Sequence, residues 1–298
     1  MRALIGQLVV LGLVAGCAPS PREVWQTYTD EVRAAGSLRV ERAPPDAPVD
    51  AARIAASFEA IAFTFESDPF ARGENVDQQP MLRRWHKPIS YALIAESSDL
   101  TRMRSALDLY VPRLETLTGL SISEISPQID PDRRPNVFIL FGRDYFLRTL
   151  KAYDDLLNAG ITIPNTERAS SVAILADVVG GWYPAPSPCA GQVYIADGQG
   201  DTVEGEVLFA IVTMRSEIPD ALLAACVEEE LAQLLGLFND ADEVRPSIFN
   251  DDQEFALLTE HDGALLQILY DERLKTGMTP SEAMPIVRRI VSELEPFD

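Results

Sequence analysis

The sequence predicts an α+β fold, in which strand-like segments are followed by helical segments towards the C-terminus. Residues 136–141, Asn-Val-Phe-Ile-Leu-Phe, are typical of a buried strand behind a turn. Apolar residues at positions 54, 58, 61 and 65 have the spacing of one helix face. Thr279, Pro280 and Glu282 form a helix-start signal, which predicts a helix over 279–294.

The composition of the chain excludes some classes of function. The chain has 298 residues, of which 47% are hydrophobic, and this is ordinary for a folded domain. Its net charge of −21 would repel the phosphate backbone of nucleic acid, so we expect no nucleic-acid partner. His86 and His261 are the only two histidines, which excludes a multi-histidine zinc centre.

The remaining elements follow from periodicity and from turn residues. Further helices are predicted over 23–35, 50–65, 98–117, 143–159, 220–238 and from 251 or 259 to 276. Further strands are predicted over 88–95, 120–125, 172–176, 192–196 and 207–214, the last at a sheet edge. We divide the chain into a signal peptide (1–16), a lipidated N-terminus and tether (17–48), a domain (49–278) and a C-terminal helix (279–298).

The N-terminus has the pattern of a secretory signal. A basic Arg2 precedes an apolar stretch that is too short to be a stable membrane span. Residues 14–17, Val-Ala-Gly-Cys, resemble a bacterial lipobox, which implies cleavage before Cys17 and acyl chains on that cysteine. Ala18 at the next position favours the outer membrane, with the protein facing the periplasm. The alternative is an ordinary signal with an incidental cysteine.

Two further cysteines, Cys189 and Cys226, would lie in an oxidising compartment. An even pair there predicts a disulfide. Two buried free thiols or a metal-binding pair are the alternatives.

The helix over 220–238 carries the residues with chemical interest. Its apolar stripe includes Val227 and Leu234, and Glu230 lies on the flank of that stripe, where a carboxylate loses hydration. Residues 229–239, Glu-Glu-Leu-Ala-Gln-Leu-Leu-Gly-Leu-Phe-Asn, resemble the metzincin zinc helix HExxHxxGxxH. In this resemblance three residues occupy the zinc-ligand positions, Glu230 the general-base position and Gly236 the turn glycine. The residues at the three ligand positions are Glu229, Gln233 and Asn239.

Two later segments extend the resemblance. Residues 246–250, Pro-Ser-Ile-Phe-Asn, resemble the Met-turn with Phe249 in place of methionine, and residues 258–262 are similar to the metzincin C-terminal helix. The resemblance implies a zincin-like mixed sheet packed on helices. The chain also resembles a bacterial lipoprotein family of unknown function, through a cysteine before Glu-Glu-Leu-x-Gln-x-x-Gly-Leu and through the tail 271–278.

The candidate ligands are one carboxylate and two amides, which are poor donors for zinc, so we expect neither a metal nor another cofactor. In place of a zinc site, these residues would form a hydrogen-bond network that holds the following loop, or the acidic loop would hold a hard ion. The loop residues for such an ion are Asn239, Asp240, Asp242, Asn250, Asp251 and Asp252. His261 and Asp262 are either an imidazole–carboxylate pair or a packing residue beside a helix-start carboxylate.

The sequence therefore predicts a non-catalytic, membrane-anchored binding module with a degenerate metalloprotease motif. Its partners would be membrane lipid, through Cys17, and a peptide or periplasmic protein in the inherited cleft. The alternative is a hydrolase with a non-zinc acid/base site centred on Glu230, with Glu229 and His261 nearby.

Overall fold

A computed structural model describes residues 19–64, 79–95, 97–125, 133–143, 187–196, 198–200, 202–250 and 252–294. The predicted signal peptide, Cys17, Asp251, the strand over 172–176 and nearly all of the helix over 143–159 lie outside these residues.

Five strands form one mixed sheet. They are β1 (Ile89–Ala95), β2 (Ile122–Glu124), β3 (Val137–Gly142), β4 (Cys189–Ile195) and β5 (Val207–Arg215). Their order is β2-β1-β3-β5-β4, and all neighbours are parallel except β4, which runs antiparallel to β5. The predicted α+β class is confirmed in this coarse sense.

Six helices lie within the described residues. They are α1 (Pro21–Ala34), α2 (Ala51–Ile61), α3 (Ser97–Thr118), α4 (Asp220–Gln233), α5 (Glu260–Tyr270) and α6 (Pro280–Glu293). Helix α3 runs through Pro112 without interruption. Helix α4 ends five residues earlier than predicted because residues 234–236 form a turn. Helix α5 begins at Glu260, after its N-cap Thr259, and the alternative start at residue 251 is wrong.

The edge of the sheet differs from the prediction. Strand β5, predicted at an edge, lies between β3 and β4, and its side chains are buried almost without interruption. Such a continuous apolar run is typical of a strand that is covered on both faces. Strand β4 is half-buried and contains Gly191 and Gln192; it is the last strand of the sheet among the described residues.

The N-terminal stretch predicted as a tether packs on the domain in the part that the structure describes. We name residues 37–49, which follow α1, the N-terminal strap. The Leu38 and Arg39 amides donate to the Gln253 and Glu254 carbonyls at 2.9 and 2.8 Å, and the Ala256 amide donates to the Arg39 carbonyl at 2.7 Å. The strap therefore adds a short extended segment beside the loop that precedes α5.

Four charged side chains fasten the strap. Arg39 and Arg245 each contact both Asp46 and Glu254, at N···O distances of 2.5–2.8 Å. These contacts form a closed ring of alternating charges between the strap and residues 245–254. The Arg39 and Arg245 guanidinium groups hold the pKa of the Asp46 carboxyl well below its usual range.

The predicted disulfide is confirmed. Cys189, the first residue of β4, is bonded to Cys226 in the middle of α4, with their Cα atoms 5.8 Å apart. The bond therefore holds the last strand of the sheet against the helix that carries the motif.

Removing this disulfide will lower the free energy of unfolding. The bond closes a loop of 37 residues, and a loop of this length is worth about 4 kcal/mol in the chain-entropy account. We expect urea unfolding of a Cys189→Ala/Cys226→Ala variant to show a loss of that order. A loss below about 1 kcal/mol would contradict a clamping role for the bond.

Candidate functional site

Helix α4 is buried on most of its surface. Residues on several sides of it are at most 7% exposed, among them Leu222, Leu223, Val227, Leu231 and Ala232. It packs against α3, β4 and β5. Glu228 and Glu230 are buried in this helix, so their carboxylates need hydrogen-bond donors from the protein.

Glu228 takes part in the main polar contact between α4 and the strap. Its carboxylate accepts two hydrogen bonds from the Arg42 guanidinium, at 2.7 and 2.8 Å, and one from the Leu258 amide at 2.7 Å. The Tyr110 hydroxyl donates to its backbone carbonyl at 2.9 Å. Glu228 was not predicted from the sequence, because the local pattern does not distinguish it from Glu229 and Glu230. Only its contacts in the fold set it apart.

Glu230, at the predicted general-base position, lies beneath the last strand of the sheet. It is 7% exposed, and its Oε2 atom lies 2.5 Å from the position that a Cβ atom on Gly191 would occupy. Only glycine lets β4 approach this carboxylate so closely. Glu229, one residue earlier, is half-buried. The structure thus brings the motif helix and the end strand together at one point.

The other two ligand positions hold the loop after α4. The Gln233 amide nitrogen donates to Asp240 Oδ1 at 3.1 Å, whereas the Asn239 amide nitrogen donates to the Ala60 carbonyl of α2 at 2.9 Å. The two amides thus face different partners. Zinc prefers imidazole, thiolate and carboxylate donors. Two amides that are hydrogen-bonded in this way, with the single carboxylate of Glu229, do not fit a zinc ion.

Gly236 makes the turn after the helix. Its φ is +125°, and a Cβ atom there would overlap the carbonyl oxygen of Arg83. The Trp85 indole donates to the Leu234 carbonyl and the Tyr270 hydroxyl to the Leu235 carbonyl, both at 2.8 Å. These two bonds satisfy carbonyls at the end of the helix.

Asp262 organises the segment that resembles the Met-turn. Its carboxylate accepts hydrogen bonds from the Ser247 hydroxyl at 2.5 Å, the Ile248 amide at 3.1 Å and the Thr259 amide at 2.9 Å. With Thr259 it forms the capping box of α5. Phe249, in the methionine position, is fully buried. Asp262 therefore acts here as a helix cap and loop support.

His261 bonds to the backbone instead of to its neighbour. Its Nδ1 atom donates to the Pro246 carbonyl at 2.8 Å, and the side chain is 1% exposed. Its Nε2 atom has no hydrogen-bond partner in the described part of the chain. Burial lowers the pKa of His261, although the nearby Asp262 carboxylate opposes this effect.

In the acidic loop, the side chain of Asn250 bonds to the backbone of the loop itself. The Asn250 amide nitrogen donates to the Asp242 carbonyl at 3.0 Å, and its oxygen accepts from the Asp252 amide at 3.0 Å. Across the ranges that the structure describes, which omit Asp251, no three His, Cys, Asp or Glu side chains are grouped to hold a metal ion.

A family model described as "Protein of unknown function (DUF2927)" matches residues 51–289, which is most of the chain. No curated protein matches it.

Breaking the Arg42–Glu228 pair will destabilise the fold. Arg42→Met leaves a buried carboxylate with one backbone donor, and we expect the free energy of unfolding to fall by about 2–4 kcal/mol. Arg104→Met breaks a more exposed pair with Glu124 and should cost less than about 1 kcal/mol. Equal losses in chemical denaturation would show that burial of the pair does not matter.

The buried imidazole will make stability depend on pH. The pKa of His261 is lowered in the folded chain from its unfolded value of 6.5. Between these two pKa values the unfolded chain binds the proton and the folded chain does not. The free energy of unfolding should therefore fall as pH drops through 6.5, until the folded pKa is reached. His261→Asn should flatten this dependence between pH 7 and pH 5, whereas His86→Asn should retain a decline. An unchanged profile in His261→Asn would contradict the assignment.

Proposed function

The chain belongs to the DUF2927 family of proteins of unknown function, and we propose that it is a membrane-anchored periplasmic binding protein. Its domain is a zincin-like pseudoenzyme that binds an extended peptide without cleaving it. In this proposal the inherited cleft runs along the outer edge of β4, the last strand of the described sheet, and this edge is the peptide site.

The position of the motif helix supports the zincin-like part of the proposal. The resemblance implies a mixed sheet with an edge strand beside the motif helix. Here β4 is the antiparallel end strand of the described sheet, and Cys189–Cys226 bonds it to α4. Two further observations support the proposal: Gly236, the turn glycine of the resemblance, has a positive φ, and Phe249, its Met-turn residue, is buried.

One observation carries the non-catalytic part. Gln233 and Asn239, at two of the three ligand positions, donate their amide hydrogens to Asp240 and Ala60 and so support the loop after α4. Without a metal, water keeps its ordinary pKa, so Glu230 has no activated nucleophile to generate. The motif then serves the fold and the shape of the cleft.

The binding mode follows from the position of β4, which is the last strand of the sheet among the described residues. A strand at the end of a sheet presents backbone donors and acceptors on its outer side, and extended peptides pair with such edges. Gly191 brings this strand close to Glu230, so a peptide on β4 would run beside a buried carboxylate. The side chains next to β4 would then select among peptides.

The membrane anchor rests on the sequence. Acyl chains on Cys17 would hold the protein at the outer membrane, facing the periplasm. Among the helices that the structure describes, none has the length and apolar character needed to cross a bilayer.

Peptide binding by the full chain is the test. Peptides selected from a displayed random library should bind saturably, as measured by fluorescence anisotropy. Gly191→Ala places a Cβ atom against Glu230 and should weaken binding about tenfold, a change of about 1.4 kcal/mol. In the matched variant Gly263→Ala, the new Cβ makes ordinary contacts with Leu117 and Arg113 of α3, and this variant should bind as the wild type does.

The same complexes test the alternative, a hydrolase centred on Glu230, which the burial of this carboxylate beside β4 favours. Mass spectrometry of the incubated peptide should show no cleavage. Peptide cleavage that is lost in Glu230→Gln would overturn the non-catalytic proposal. If no peptide binds saturably, the proposed binding site is wrong.

A further inference from the structure

Helix α1 is fixed to the domain. Trp25 and Thr29 are buried, and the Arg215 guanidinium at the end of β5 lies 5.9 Å from the centre of the Trp25 ring. The Tyr28 hydroxyl donates to Gln253 Oε1 at 2.8 Å. A helix with these contacts moves with the body of the protein.

The start of α1 is equally well defined. Ser20 is the N-cap: its hydroxyl accepts from the Glu23 amide at 3.3 Å, and the Glu23 carboxylate accepts from the Ser20 amide at 2.7 Å. This reciprocal pair is a capping box, which fixes the point at which the chain enters the helix. Ser20 is therefore a fixed point of the domain.

Only Ala18 and Pro19 separate this point from the proposed lipid attachment at Cys17. Three Cα–Cα steps span at most about 11 Å when fully extended. The headgroup layer on one side of a bilayer is about 5–8 Å thick. A cysteine whose acyl chains lie in the hydrocarbon core can therefore place Ser20 no further than about one headgroup layer above the membrane surface.

We infer that the N-terminal end of α1 forms a membrane-contact surface that holds the domain directly against the lipid headgroups. This inference rests on the proposed anchoring at Cys17. Val24, 46% exposed in the first turns of α1, lies at the contact. The net charge of −21 opposes close approach of the rest of the protein to anionic lipid, so contact is confined to this end. The strap then carries that fixed orientation to α4 through Arg42 and Glu228.

Quenching by lipid tests this geometry. The full lipidated chain is reconstituted in phosphatidylcholine vesicles that contain a headgroup-nitroxide phosphatidylcholine. A fluorophore is attached to Val24→Cys, the other cysteines being acylated or disulfide-bonded. The matched variant carries a flexible twenty-residue Gly/Ser insert between Ala18 and Pro19, with a root-mean-square length of about 25 Å.

We expect the label on the native-length chain to be quenched at least about threefold more than the label on the insert variant, because contact quenching requires close approach. Equal quenching would overturn the inference. The mass of the N-terminal peptide checks the premise in both proteins, and an unacylated Cys17 would overturn it as well. Peptide binding is measured separately, so a failure of the cleft proposal remains distinguishable from a failure of the membrane contact.

Discussion

The buried carboxylate of Glu228, in a helix that is covered on most sides, requires the N-terminal part of the chain to pack on the domain. A carboxylate removed from water is costly unless it finds donors, and Glu228 finds them in Arg42 and in the Leu258 amide. Arg42 belongs to the strap, so satisfying Glu228 requires the N-terminal stretch to dock. The charged ring of Arg39, Asp46, Arg245 and Glu254 fastens the same strap to the loop before α5.

The residues that carry the metzincin resemblance take part in this architecture. Gly236 turns the chain, Gln233 and Asn239 hold the loop that follows, and Asp262 caps α5 while it bonds to Ser247. Under the proposed metzincin-like origin, Gln233 and Asn239 stand at ligand positions, and here both amides support the loop after α4. Their hydrogen bonds give a structural reason for keeping these side chains that requires no ion.

Local patterns predicted much of the fold. Strand β3 is encoded in a short apolar run, and the start of α6 is encoded in its capping box. The disulfide follows from the even number of cysteines that remain after Cys17. The edge strand was predicted wrongly. The continuous apolar run of β5 in fact indicates a covered strand, whereas Gly191 and Gln192 distinguish β4. The Arg42–Glu228 pair joins residues 186 positions apart, and no local pattern indicates such a contact. The approach of Gly191 to Glu230 likewise depends on strand order, which periodicity does not specify.

The metal content of the purified chain is the decisive measurement for the proposal that this helix has the form of a zinc helix but binds no ion. The protein would be isolated without chelators, and zinc, calcium and other metals would be measured by elemental analysis beside a Glu229→Ala/Gln233→Ala variant. We expect far less than one metal ion per chain in both proteins. One equivalent of zinc in the wild type that is lost in the variant would contradict it.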